Sequence, residues 1–125
     1  MGLVGGDDLN DLTERVIGCA FDVSNELGAG FLERVYENAL TIVLREAGLH
    51  VEQQKPISVL FHGQVVGEYV VDLLVESQVL IELKAVKTIQ DVHKAQCLNY
   101  LRATGLKTCL LINFGEQVQV KRLRL

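Results

Sequence analysis

A chain of 125 residues with 16 acidic and 12 basic side chains has the length of one domain and a formal charge of −4. Hydrophobic residues make up 49% and mean hydropathy is +0.24, yet no apolar run approaches the ~18 residues that span a bilayer. The acidic balance argues against binding a polyanion through bulk charge and leaves that task to residues 63–125, which carry 8 bases and 6 acids against 4 and 10 in residues 1–62.

The N-terminal stretch MGLVGGDDLND has no basic n-region and no long apolar h-region, so it does not read as a signal peptide. Leu9, Leu12, Val16, Ala20, Val23 and Leu27 follow helical spacing, with Asp7 or Asp8 as the expected cap and Gly28 and Gly30 past the end. A second helix follows through Leu32, Val35, Tyr36, Ala39, Leu40, Val43, Leu44 and Ala47, and Gly48 ends it. The period then changes to two. Val51–Gln54 and Ile57–Phe61 read as strand around Pro56, with a turn at His62-Gly63-Gln64. Val65–Val75 and Val79–Val86 are nearly continuous apolar runs, which predicts strands covered on both faces. Residues 89–104 return to helical spacing, with Thr88 and Asp91 placed as a variant capping box. Thr108–Asn113 and Val118–Leu123 complete the order ααβββαββ. This is a single α/β domain over residues 1–125, a central mixed sheet with helices on its faces. Cys19, Cys97 and Cys109 are odd in number and form no C-x-x-C, so reduced core thiols in a cytoplasmic protein are expected.

The chemistry-bearing residues sit in VVDLLVESQVLIELKAV, residues 70–86. Glu82 and Lys84 are two apart on a strand and so share a face. Asp72 lies on the preceding strand across a short turn. Two adjacent carboxylates repel unless one takes a proton or a cation lies between them. Mg²⁺, or Mn²⁺ in its place, is a hard ion that suits carboxylate oxygen. Lys84 would then orient a water or stabilise charge that develops at phosphorus. The plain alternative is a structural ion pair.

The D…ExK arrangement in this element order resembles the PD-(D/E)XK nuclease superfamily, whose restriction-endonuclease-like core runs αβββαβ. The chain would carry one extra N-terminal helix. More narrowly it is similar to the GxxExxY proteins, whose motif stands here as Gly30-Phe-Leu-Glu33-Arg-Val-Tyr36. The likeness continues through HKAQCLNYL and LLINFG, over roughly residues 9–115. It implies a Mg²⁺-dependent nuclease that acts on DNA in preference to RNA. Asp72, Glu82 and the backbone carbonyl of Leu83 would hold the metal, and a helical glutamate would complete the site. Glu33 takes that part, and Glu37, one turn on, can substitute. Tyr36 either bonds a carboxylate or packs. Gln96 and Tyr100, four apart on one helical face, resemble a Q-x-x-x-Y pair that supports the site and touches nucleic acid in bacterial recombination nucleases. His93 either reaches phosphate or lies at the surface. Val71 stands where the superfamily often has proline. The competing reading keeps the fold and makes the protein a homo-oligomeric assembly module, because apolar content is high for so small a domain.

Overall fold

The computed structural model describes the backbone of residues 5–125 and side chains from residue 9 onward. Helix α1 spans Gly5–Leu27 and α2 spans Glu33–Glu46. Strands β1 (Val51–Phe61), β2 (Gln64–Val75) and β3 (Val79–Lys84) follow, then α3 (Asp91–Thr104), β4 (Thr108–Phe114) and β5 (Val118–Arg124). The five strands lie in sequence order in one sheet. Every neighbouring pair is antiparallel except β3 with β4, which are joined through α3 and run parallel. The expected order ααβββαββ is the order observed.

Two cores sandwich the sheet. On one face α1 and α2 bury Val16, Ala20, Leu40 and Leu44 against Leu73, Ile81, Leu83 and Ile112. On the other, Cys97, Tyr100 and Leu101 of α3 pack on Val71, Leu80, Cys109 and Leu111. The β3 and β4 strands therefore see apolar neighbours on both sides, as their continuous runs predict.

Four local expectations are corrected. Backbone helix already runs through positions 7 and 8, so neither aspartate is a cap by position; their side chains lie outside the described residues. Strand β1 is one piece rather than two. Pro56 pairs with Val70 from an edge strand, where a missing N–H costs least. Only residues 71–75 of β2 are interior, and Val65, Val66, Tyr69 and Val70 are exposed on a hairpin that outruns both cores. The start of α3 is capped by Gln90 and His93, not by Thr88 and Asp91, with His93 Nδ1 accepting from the Gln90 N–H at 3.1 Å.

Two turns depend on left-handed backbone. His62 and Gly63 close the β1–β2 hairpin with φ of 51° and 75°. Glu76 and Ser77 close β2–β3 with φ of 53° and 55°, and the Gln78 N–H bonds the Val75 carbonyl at 3.0 Å. Both are the tight geometry whose twist matches that of the strands.

Candidate active site

The β2–β3 ladder runs Val75↔Val79, Leu74↔Leu80, Leu73↔Ile81 and stops there. Asp72 and Glu82 are the next residues in that register. The strands fork at this point, and two backbone N–H groups lose their ladder partners. The carboxylates replace those partners. Asp72 Oδ2 accepts from the Leu83 N–H at 2.8 Å, and Glu82 Oε1 accepts from the Asp72 N–H at 3.3 Å. A buried donor needs a partner, so the fork itself accounts for acidic side chains in an apolar stretch.

Glu82 is buried, 5% exposed. Burial, then the neighbouring Asp72 carboxylate, pushes its pKa from 4.5 up to about 8, against the opposing pull of the Asp72 N–H and of Lys84. Glu33, the first residue of α2, is also raised, first by burial and then by Asp72 and Glu37, while Lys84 and the Ala85 N–H oppose the shift. Glu33 and Glu82 are thus each within electrostatic reach of Asp72 and Lys84 at the fork. Among the described residues, however, no three His, Cys, Asp or Glu side chains converge in metal-holding geometry. One oxygen of each carboxylate, Asp72 Oδ2 and Glu82 Oε1, is turned to a backbone donor.

Glu37 occupies a different position from Glu33. It is 3% exposed and takes bonds from Gln53 at 2.7 Å and from Gln54 at 2.8 Å, with Arg34 3.6 Å away. Gln54 also donates to Asp72 Oδ1 at 3.3 Å. Neither glutamine stands out in sequence; the only trace is two amides in succession where a half-buried strand should alternate.

A family model of the PD-(D/E)XK nuclease superfamily matches residues 10–124. The chain belongs to that superfamily. Two solved structures share its fold. SSO0001 superposes with a TM-score of 0.59 at 16% identity, over 74% of this chain and 50% of its own. The alkaline exonuclease LHK-Exo of Laribacter hongkongensis gives 0.55 at 18% identity, over 73% and 55%. The present chain thus spans about half the length of either. No curated protein matches. At these identities the likeness establishes the fold, which is the restriction-endonuclease-like core with α1 added before it.

In this superfamily member Tyr100 of α3 lies within electrostatic reach of the fork from the sheet's other side. Gln96 Nε2 donates to the Tyr100 hydroxyl at 2.8 Å. Tyr100 is itself buried and its pKa is raised, first by burial and then by Glu82 and Asp72, so the phenol keeps its proton beside two carboxylates. Tyr36 lies elsewhere. Its hydroxyl donates to the Gly28 carbonyl at 2.6 Å and accepts from the Phe31 N–H at 3.2 Å, and its ring stacks on Phe114 at 4.6 Å. It fastens the loop that delivers Glu33 and does not bond the carboxylates. Asn113 holds the segment after β3 by a two-way bond to Val86, 2.9 Å to its N–H and 2.8 Å to its carbonyl. No helix is long and apolar enough to cross a membrane among the described residues.

Superfamily nucleases generally use divalent metal ions. The donor set here fits one. Asp72 and Glu82 offer hard carboxylate oxygen, and a carboxylate whose proton is held up to about 8 by burial and then by its acidic neighbour is one that a cation would ionise.

Proposed function

We propose that this protein is a Mg²⁺-dependent phosphodiesterase of the GxxExxY group, a nuclease acting on DNA in preference to RNA. The observation that carries the reading is the fork, where Asp72 and Glu82 face each other across parting strands with Lys84 two residues on. Asp72, Glu82, Glu33 and the Leu83 carbonyl are the groups to hold Mg²⁺ or Mn²⁺. A residue's N–H and C=O leave a strand on the same side, so the Leu83 carbonyl follows its N–H toward Asp72. A bound divalent ion supplies a polarised phosphoryl oxygen and a more acidic water.

The chain's own residues do the rest. Lys84 holds an ammonium within electrostatic reach of Glu33 and Glu82 and stabilises charge that grows on the scissile phosphate. Gln96 orients the Tyr100 hydroxyl, and both border the substrate. The three buried free thiols fit a reducing compartment, the cytoplasm. The assay is degradation of labelled single- and double-stranded DNA and of RNA at low salt, where a sparse basic surface binds best. Wild type should cleave only with Mg²⁺ or Mn²⁺. Lys84→Ala should fall about 10²-fold, and Glu82→Ala should lose both cleavage and metal. Equal inactivity of all three on every substrate refutes the nuclease reading.

One feature favours a second reading, a homo-oligomeric assembly module. The β1–β2 hairpin exposes Leu60, Phe61, Val65, Val66, Tyr69 and Val70, large apolar side chains that a second copy would cover.

A further inference from the structure

Two consecutive residues of β1, Gln53 and Gln54, both reach Glu37. Neighbours on a regular strand point to opposite faces, so one of the two should face away. The backbone explains why it does not. Gln54 has φ of 52°, left-handed and rare for any residue but glycine. Pairing on either side keeps its register, Gln53↔Leu73 and Lys55↔Val71, so no residue is inserted and the strand turns over in place.

The cores record that turn. Val51 lies in the α1–α2 core and Ile57 in the α3 core, although six residues apart they should share a face. On β2, Leu73 and Val71 divide the same way around Asp72. The hairpin therefore crosses from one face to the other at the level of Gln54 and Asp72. Backbone strain of this kind persists only where the surroundings over-determine it. Here the surroundings are two hydrogen bonds, from Gln54 Nε2 to Glu37 Oε1 at 2.8 Å and to Asp72 Oδ1 at 3.3 Å.

We propose that Gln54 is a positioning residue for Asp72: its strained backbone turns the amide into the fork, where it ties the Asp72 carboxylate to the buried Glu37 of α2. The role in metal binding rests on the nuclease reading; the tie itself does not. Asp72 is then held from two directions, by the Leu83 N–H on Oδ2 and by Gln54 on Oδ1. Gln53 supplies a built-in control, because it bonds Glu37 and Asn38 but not Asp72.

Urea unfolding of the metal-free full chain tests the tie through Gln54→Leu, Asp72→Ala and the double variant. Gln54→Leu should lose stability in the wild-type background and lose less than half as much once Asp72 is alanine. Equal losses in the two backgrounds overturn the proposal, with no metal involved. Calorimetry with Mn²⁺ then separates positioning from scaffolding. Gln54→Leu should raise the dissociation constant about 10-fold or more, whereas Gln53→Leu should leave it unchanged. Equal weakening by both, or by neither, overturns the positioning role. A wild type that takes up no Mn²⁺ defeats the nuclease reading instead, and the unfolding cycle alone then decides whether Gln54 holds Asp72.

Discussion

Glu82 is the residue whose surroundings have the sharpest consequence. Its pKa is raised from 4.5 to about 8 by burial and by Asp72. Over that window the folded chain keeps a proton that the unfolded chain releases. The contribution is therefore fully present below pH 4.5 and is lost as pH rises toward 8. Urea midpoints of the metal-free protein should fall across this range, and Glu82→Gln should flatten the slope. A midpoint that rises from pH 5 to 8 in wild type would contradict the placement of Glu82. Thr108 makes a simpler case. Its hydroxyl is fully buried and has no hydrogen-bond partner among the described residues. Replacing an orphan hydroxyl by an apolar group of the same shape removes a desolvation penalty. Thr108→Val should accordingly stabilise the protein by about 1 kcal/mol, read by thermal or urea unfolding.

Among the elements, the turns and clasps around the fork carry the strain. Ser77 sits at φ 55° in the β2–β3 turn without being glycine. A left-handed residue with a Cβ costs about 1–2 kcal/mol, so Ser77→Gly should stabilise the hairpin by about 1 kcal/mol after glycine's added entropy in the unfolded chain. Gly115 shows the opposite case. A Cβ there would stand 2.6 Å from the Val86 carbonyl and 3.1 Å from the Asn113 amide. Gly115→Ala should cost about 1–3 kcal/mol by pushing Val86 off Asn113, and it should loosen the segment that follows Lys84. Amide exchange at Val86 is the direct readout. These contacts give the LLINFG stretch a physical meaning: an amide clasp, a ring stacked on Tyr36, and a position with no room for a side chain.

For the whole molecule, the projecting β1–β2 hairpin is the feature that the cores leave unused. If its apolar face covers that of a second copy, light scattering at micromolar concentration should give about twice the 13.8 kDa chain mass. Val66→Lys should return the mass to one chain without unfolding it, since Val66 is 62% exposed. A wild type that stays at one chain mass over the accessible range removes the assembly reading.

Element order, the single mixed sheet and the D…ExK constellation were legible in the sequence because each rests on a local period or spacing. Apolar residues at 3.6 or 2 mark helix and strand, and Glu82 and Lys84 share a face by the pleat alone. Glu33 at the start of α2 was legible from its motif, and the shared face of Gln96 and Tyr100 from helical spacing. Tertiary structure decided the rest. Exposure of Val65, Val66 and Val70 depends on where α3 and the cores end, which no strand records in its own residues. Tyr36 bonds the Gly28 loop, and Gln90 with His93 caps α3, because partners are chosen by where loops pass in space. Gln54 was illegible for the deepest reason. Its position depends on one backbone angle that breaks strand alternation, and strand pairing with burial around Asp72 and Glu37 holds that angle, not the preference of glutamine.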